Sequence, residues 1–314
     1  MIGASSGRAA GKVILLGEHA VVYGAPALAA GIERGARALA TPLRAGEPSR
    51  LRLGDAAITA DASSTEDVAR ALAALLTEGD ALPPMAIEAD SELPPGSGLG
   101  SSAAIGVAIA RAAMTAVAAG APIDDAAVLA RATAWERIFH GNPSGIDTAA
   151  SALGGCFRFT RAEGVRVLAP ARELVLAIGL SGTTASTRAM VEGVARLRAR
   201  KPELVDRTIE GITALVDNAA LAVEAGDLEG LGKLMNLNQM LLAGLMLSTE
   251  QLEELCALAR EAGALGAKLT GKGGGGAVVA LTATGEDAEP VLAAWRSAGY
   301  QGFSTRVRAR TTTS

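Results

Sequence analysis

The chain has 314 residues, of which 49% are hydrophobic and 20% charged, a globular composition that excludes a largely disordered protein. Single hydrophobic cores stop growing at roughly 250–300 residues, so we expect two domains. The formal net charge of −4 argues against nucleic acid as the main partner, because such partners need a basic surface.

Apolar runs and turn residues predict alternating strands and helices in the first half of the chain. Predicted strands lie at 13–16, 51–60, 85–89, 154–159 and 174–180. Predicted helices lie at 66–76, 102–119 and 124–139, with a short one at 147–152.

The second half changes character, and it predicts a helical region that is closed by a small α/β segment. Residues 186–264 read as helix, with breaks near 201–202, 226 and 248. A strand at 278–281, a helix at 286–298 and a strand at 303–308 follow. We therefore divide the chain into an N-terminal domain, 1–170, and a C-terminal domain, 171–314.

The cysteines and the hydropathy pattern bear on the type of protein. Cys156 and Cys256 lack any CxxC spacing, which predicts reduced thiols in a cytoplasmic protein and gives no zinc motif. No uninterrupted apolar stretch of about 18 residues occurs, so we expect no membrane span. The N-terminal residues lack a signal-peptide pattern.

The segment from Pro94 to Ala104 is the first candidate for a binding site. It holds Gly96, Gly98 and Gly100, which let the backbone approach an anion, and it leads into a helix start with unpaired N–H groups. It lacks the lysine of a P-loop and the third glycine of a dinucleotide site. Read alone, it is either a phosphate cradle or a glycine-rich turn with a serine cap.

A second glycine-rich segment, Thr270 to Gly276, precedes a predicted strand. Four consecutive glycines are costly in chain entropy, which favours a close backbone contact or a tight turn against another loop. The alternative is a flexible hairpin.

Five charged or titratable residues could act on a bound phosphate, and each also has an ordinary interpretation. Lys12 could be a solvated lysine, Glu18 and His19 surface or capping residues, Glu136 a solvated helix residue and Asp147 a helix N-cap. Phosphoryl transfer needs a phosphate cradle, a metal, a cation and a group that orients the acceptor. The residues therefore favour an enzyme or a nucleotide-binding module.

Three ordered segments together resemble the GHMP kinases. They are Gly11 to His19, Pro94 to Ala104 and Lys268 to Gly276, and their order and spacing match that superfamily over essentially the whole chain. Within it, Gly17 to Gly24 and Glu136 to Asp147 are most similar to the mevalonate kinases. The resemblance implies an α+β fold in two domains, an N-terminal one like domain 2 of ribosomal protein S5 and a ferredoxin-like C-terminal one with extra helices, with the site in the cleft between them.

The resemblance also implies roles for individual residues. Asp147 would be the catalytic base or the carboxylate that orients the acceptor. Lys12 would pair with it, keep it ionised and stabilise charge on the γ-phosphate. Ser102 and Glu136 would ligate Mg²⁺. The nucleotide would be bound by Ser91, Pro94, Gly96, Ser97, Gly98, Leu99, Gly100, Ser101 and Ser102. The acceptor would be bound by Glu18, His19, Asp147, Thr187, Arg188 and Gly274.

The implied reaction is ATP-dependent phosphorylation of the C5 hydroxyl of (R)-mevalonate, with ATP and Mg²⁺ as cofactors. The alternatives are another GHMP small-molecule kinase, such as a phosphomevalonate kinase, or a non-catalytic ligand sensor on the same fold. We expect a cytoplasmic enzyme with small-molecule partners and no nucleic-acid or membrane partner. A homodimer is left open.

Four positions depart from the family pattern. Ala10 stands where a proline is usual, and Lys272 stands where a small residue is usual. The stretch Leu245 to Ser248 differs from the common Leu-Gly-Val-Ser at Met246 and Leu247, near the expected acceptor. Lys272 would either bind a phosphate oxygen or project into water, and a reach to the acceptor would favour an already phosphorylated substrate.

Overall fold

The computed structural model describes residues 4–141 and 143–307. The chain folds into two compact units that are discontinuous in sequence. The first unit comprises residues 4–11, Arg34–Pro94 and Gly100–Gly154, and the second comprises Lys12–Glu33, Pro95–Leu99 and residues 155–307. Because each unit is made of several separate stretches of the chain, these units do not test a single boundary near residue 170. That boundary stays a prediction.

Two long strands run through both units, and the remaining elements of the first unit form a sheet and four helices. The long strands are β1 (Ser5–Leu16) and β2 (Ala27–Pro42). The further strands are β3 (Arg50–Leu53), β4 (Ala56–Thr59) and β5 (Met85–Ser91). The helices are α1 (Asp67–Thr77), α2 (Ser101–Val117), α3 (Asp125–His140) and α4 (Ile146–Leu153).

The sheet of the first unit has the order β4-β3-β5-β2, in which residues 36–42 of β2 pair with β5. Met85, Ile87 and Ala89 of β5 are buried, and the alternate residues Glu88 and Asp90 are exposed. This period of two gives the sheet one buried face and one solvated face. Helix α2 packs against β5 and α3, and its alanines allow that close approach.

The second unit contains a short strand pair and a larger α/β segment. The pair is β6 (Cys156–Thr160) and β7 (Gly164–Leu168), and residues 27–30 of β2 extend it. The later strands are β8 (Leu174–Leu180), β9 (Gly266–Thr270), β10 (Ala277–Thr282) and β11 (Gln301–Val307). The helices are α5 (Thr187–Arg200), α6 (Pro202–Ala225), α7 (Leu228–Gly244), α8 (Glu250–Glu261) and α9 (Ala288–Ser297).

The four later strands form an antiparallel sheet of order β11-β8-β10-β9. The chain order is strand, helices, two strands, helix, strand, which is the ferredoxin-like arrangement. Helices α5 to α8 stand where that arrangement has a single helix. The predicted α+β class is therefore confirmed, as are the ferredoxin-like segment and its extra helices.

The sequence-based elements agree with the structure at the helices and fail at several strands. The strand predicted at 51–60 is wrong, because Gly54 (φ 57°) turns this segment into the β3–β4 hairpin. Strands β2, β7 and β9 and the first part of β1 were not predicted. The predicted strand 303–308 corresponds to β11, and residue 308 lies outside the described residues. Among the described helices, none is long and apolar enough to cross a membrane.

Candidate active site

The predicted phosphate loop adopts the backbone conformation that its glycines allow. Gly96, Gly98 and Gly100 have φ values of 71°, 81° and 78°, in the left-handed region that side chains disfavour. Gly100 is the N-cap of α2, and no side chain caps the first N–H groups of that helix. An uncapped helix start after a glycine-rich loop suits a phosphate group, because the N–H groups and the helix dipole attract an anion.

The second glycine-rich segment packs directly on this loop within the second unit. A Cβ on Gly276 would lie 2.8 Å from the carbonyl oxygen of Ser97, and one on Gly271 would lie 3.1 Å from that of Gly98. Both glycines have positive φ values, 91° and 87°. The expectation of a close backbone contact against another loop is confirmed, and the segment is the connection of the antiparallel β9–β10 pair.

Lys12 is fixed against the same loop. Its backbone N–H donates to the carbonyl oxygen of Leu99 at 2.9 Å, and only 3% of the residue is exposed. Ile14, two positions after Lys12 in β1, donates its N–H to Thr270 Oγ1 at 2.9 Å. Its carbonyl oxygen accepts the hydroxyl proton of Thr270 at 3.1 Å. Thr270 therefore joins β1 to the second glycine segment, and Lys12 is not the solvated lysine of the ordinary interpretation.

Glu18 lies in the interior of the second unit, where it pairs with Lys268 of β9. Both side chains have 0% exposure, and Lys268 Nζ donates to Glu18 Oε1. Burial raises the pKa of Glu18 and lowers that of Lys268, while the attraction between the two charges opposes both shifts. Asn238 Nδ2 lies 3.5 Å from Glu18 Oε2, so α7 contributes to the same cluster. The interpretation of Glu18 as a surface or capping residue is wrong.

His19 is also buried, and it contacts the second glycine segment. Its Nε2 lies 2.8 Å from the carbonyl oxygen of Lys272 and, as the donor of that bond, carries the proton. Burial lowers the pKa of His19, although this hydrogen bond works against the shift. The backbone φ of 59° is unusual for a residue with a side chain, and such strain often occurs at functional sites.

In the first unit, the predicted metal ligands meet. Ser102 Oγ donates to Glu136 Oε1 at 2.5 Å, and Trp135 Nε1 donates to Ser102 Oγ at 3.3 Å. His140 Nε2 lies 3.6 Å from the second carboxylate oxygen of Glu136. Glu136 is only 2% exposed, so it is not a solvated helix residue.

The donor set of Ser102 and Glu136 fits Mg²⁺ but would not hold it alone. One carboxylate and one hydroxyl are hard oxygen ligands, and Mg²⁺ in such sites takes its remaining ligands from water and substrate phosphates. No cluster of three or more histidine, cysteine or acidic side chains placed to hold a metal occurs in the described part of the chain. A metal at this pair would therefore depend on a bound nucleotide.

Asp147 is the second residue of α4 and is half-buried. Gly145, with φ 88°, is the N-cap of this helix, so the interpretation of Asp147 as the N-cap is wrong. Ser91 lies beside the start of α2, since its Oγ is 3.2 Å from Ser101 Oγ. The same Oγ accepts the N–H of Leu93 at 3.2 Å. The first unit thus joins Ser91 to the helix start that was predicted to bind nucleotide.

Thr187 and Arg188 begin helix α5, whose N-cap Ser186 accepts the N–H of Ala189 at 2.9 Å. Both side chains are exposed, and neither is hydrogen-bonded within the described chain. Gly274 lies beside this helix start, because a Cβ there would be 2.6 Å from Met190 Sδ. The second unit thus places Gly274 close to the start of α5.

The sequence interpretation missed several residues that hold these segments in place. Thr184 Oγ1 donates to the carbonyl oxygen of Gly96 at 3.1 Å and so ties the segment before α5 to the phosphate loop. Lys268 and Thr270 were within a recognised motif but had been given no role. No local pattern marks their partners, which are more than 200 positions away in the chain.

The two cysteines are buried thiols, and Cys256 lies close enough to Lys268 to interact with it electrostatically. Cys156 and Cys256 are free and buried, and burial raises the pKa of each thiol to about 12. A thiol with such a pKa is a poor nucleophile at neutral pH.

Comparisons with known proteins agree with this geometry. The family model of the GHMP kinases N terminal domain matches residues 66–155, and that of the GHMP kinases C terminal domain matches residues 219–301. The mevalonate kinase of Pyrococcus abyssi is 34% identical, covering 94% of this chain and 93% of the relative. That of Pyrococcus horikoshii is 36% identical with the same coverage. The structure of L. major mevalonate kinase in complex with R-mevalonate superposes with a TM-score of 0.84 at 30% identity, over 99% of this chain and 97% of that one.

Proposed function

Because the chain belongs to the GHMP kinases, in the family of the mevalonate kinases, we propose that it transfers the γ-phosphoryl group of ATP to the C5 hydroxyl of (R)-mevalonate. The observation that carries the proposal is the similarity to mevalonate kinases over nearly the full length of both chains. The hydrogen-bonded Ser102–Glu136 pair and the two glycine segments are among the parts that phosphoryl transfer requires.

The nucleotide would be held by the phosphate loop and the start of α2. The positive φ values of Gly96, Gly98 and Gly100 let the backbone N–H groups approach phosphate oxygens without a Cβ in the way. Ser91, Pro94, Ser97, Leu99, Ser101 and Ser102 complete the proposed nucleotide site. Mg²⁺ bound at Ser102 and Glu136 would neutralise charge on the phosphates.

The transfer itself needs one carboxylate and one cation from the protein. The C5 hydroxyl oxygen forms a bond to the γ-phosphorus while the bond from that phosphorus to the bridging oxygen breaks. The electron pair of the broken bond leaves on ADP, and the hydroxyl proton passes to the carboxylate of Asp147. Lys12 supplies positive charge that stabilises the transferring group.

The acceptor would be bound by His19, Thr187, Arg188 and Gly274, together with Asp147. Arg188 suits the carboxylate of mevalonate, because a guanidinium group can bind a carboxylate through two parallel hydrogen bonds. Glu18 is closed to solvent and paired with Lys268, so its contribution would be to hold the Gly17–His19 segment in place.

One assay tests the proposed function. The purified protein is mixed with ATP and Mg²⁺ and offered mevalonate, 5-phosphomevalonate, galactose or homoserine, and ADP release is measured. We expect turnover with mevalonate above that with the other three acceptors. The absence of turnover with mevalonate, or faster turnover with 5-phosphomevalonate, would reject the proposal.

Two further expectations concern the protein in solution. Light scattering of the purified chain would measure its molar mass and so show whether it forms a homodimer. A cytoplasmic location is consistent with the reduced, buried thiols of Cys156 and Cys256.

A further inference from the structure

Lys272 is the one charged residue in the second glycine segment, at the position where the family resemblance leads us to expect a small side chain. Its backbone is fixed on both sides. The carbonyl oxygen of Lys272 accepts from His19 Nε2 at 2.8 Å, and a Cβ on the preceding Gly271 would lie 3.1 Å from the carbonyl oxygen of Gly98 in the phosphate loop. The side chain of Lys272 therefore starts beside the phosphate loop.

The surroundings of this lysine are cationic. Its ammonium group makes no hydrogen bond or ion pair with any other residue that the structure describes, although the residue is only half-exposed. Burial lowers the pKa of Lys272, and the positive charge of nearby Lys12 lowers it further. Two cations that repel each other beside a glycine-rich loop lose that repulsion when an anion binds to both.

The glycines of the segment pack against two different parts of the second unit. Gly274 packs against Ala185 and Met190 at the start of α5, where the acceptor residues are proposed. Gly271, next to Lys272, packs instead against Gly98. Both Gly271 and Gly276 thus contact the phosphate loop, and Lys272 directly follows the first of these two contacts.

We propose that Lys272 is a further phosphate-binding residue, whose ammonium group binds an oxygen of the β- or γ-phosphate of a nucleoside triphosphate held at the Gly96–Leu99 loop. This inference rests on the proposed function, because it assumes that the loop binds ATP. It gives this chain a second lysine, besides Lys12, directed to the phosphates.

Nucleotide affinity tests the inference without any acceptor. Titration calorimetry with the β,γ-imido analogue of ATP and with AMP, in the presence of Mg²⁺, compares the wild type with Lys272→Ala and Lys272→Met. Loss of one charge-assisted hydrogen bond should weaken binding of the triphosphate analogue about tenfold. Binding of AMP should be unchanged, since AMP lacks the β- and γ-phosphates. Lys233→Ala removes an exposed lysine on α7 and is the charge-matched control.

Each result bears on the inference directly. A tenfold loss confined to the triphosphate supports it, and unchanged triphosphate affinity in both variants overturns it. A parallel titration with 5-phosphomevalonate covers the acceptor side: weaker binding of that ligand with unchanged triphosphate affinity also overturns the inference, because Lys272 would then serve the acceptor. Melting temperatures of the variants show whether a loss reflects unfolding. Failure of the wild type to phosphorylate mevalonate would reject the proposed function and leave these nucleotide affinities interpretable.

Discussion

Glu18 and Lys268 are 250 positions apart in the chain and form an ion pair in which both side chains have 0% exposure. The pair joins the segment after β1 to strand β9, which leads into the second glycine segment. Lys268 Nζ also donates to the carbonyl oxygen of Leu269 at 2.5 Å. The first and third motifs are thus held together by buried polar contacts as well as by apolar packing.

The first prediction concerns this pair. Glu18→Ala or Lys268→Ala leaves one ionisable group buried without its partner, and each should reduce the free energy of unfolding by about 3–5 kcal/mol. The double variant Glu18→Gln with Lys268→Met should cost less than the sum of the two single variants, because no unpaired charge remains. Urea unfolding at neutral pH measures the free energy of unfolding of the wild type and of each variant.

An exposed ion pair of the same unit provides the control. Arg166 and Glu224 are 3.2 Å apart with side-chain exposures of 55% and 36%, so Arg166→Ala should cost at most about 1 kcal/mol. If Glu18→Ala costs no more than this control, the buried pair does not stabilise the fold.

The second prediction concerns pH. The pKa of His19 is lowered by burial, so between that lowered pKa and the ordinary value of 6.5 the unfolded chain binds more protons than the folded one. Stability should therefore fall as the pH drops below 6.5, until the folded-state pKa is reached. His19→Gln retains a donor for the Lys272 carbonyl oxygen and removes the titration, so its stability should depend less on pH.

The measurement is the urea midpoint at several pH values between 5 and 7.5. His140→Gln is the control, because His140 is the other histidine of the chain and its side chain is 41% exposed. Equal pH dependence in wild type and His19→Gln would contradict the assignment of this effect to His19.

The third prediction separates backbone strain from steric contact at the glycines. Gly276 and Gly46 have φ values of 91° and 89°, but a Cβ on Gly276 would lie 2.8 Å from the Ser97 carbonyl oxygen, whereas one on Gly46 would meet nothing within 4 Å. Gly46→Ala should cost about 1 kcal/mol from strain alone. Gly276→Ala should cost about 1–3 kcal/mol more, because the two loops must move apart.

Thermal unfolding and the affinity for the ATP analogue test this prediction together. Gly276→Ala should weaken nucleotide binding, since the phosphate loop is displaced, and Gly46→Ala should not. Equal stability losses in the two variants would show that the loop contact is unimportant.

The success of the sequence interpretation depended on how local the signal was. The start of α2 was predicted within one residue, because the change from glycine and serine to an alanine-rich run is visible in the sequence itself. Strand β9 was missed because all five of its residues are buried, which leaves no alternation to detect. Strand β2 was missed because small apolar residues and internal glycines hide its period of two.

In the candidate site, too, features with a signal in the sequence were predicted and those that depend on remote residues were not. The resemblance to the GHMP kinases led to Ser102 and Glu136, and the structure shows them bonded at 2.5 Å. The burial of Glu18 could not be predicted, because its partner is remote in sequence and a glutamate is rarely buried without one. Local reasoning also favoured an N-cap at Asp147, since nothing in the sequence shows that Gly145 takes that position.

The fourth prediction concerns the proposed metal ligands. Glu136→Gln keeps the shape of the side chain and removes its charge, so the Mg²⁺ concentration that gives half-maximal activity should rise, and kcat should fall by roughly 100-fold. Added Mg²⁺ should recover part of the loss. Glu66→Gln, at an exposed position before α1, is the control and should behave as the wild type. An unchanged Mg²⁺ requirement in Glu136→Gln would exclude Glu136 as a ligand.

The fifth prediction concerns the proposed base. Asp147→Asn preserves the size of the side chain on the first turn of α4 but cannot accept the proton of the acceptor hydroxyl. We expect the dissociation constant of the ATP analogue to change little, while kcat falls by about 10²–10⁴-fold. Calorimetry and the ADP-release assay measure the two effects separately. Because loss of folding would weaken both binding and turnover, a variant that binds nucleotide normally yet keeps the wild-type kcat would remove Asp147 from this role.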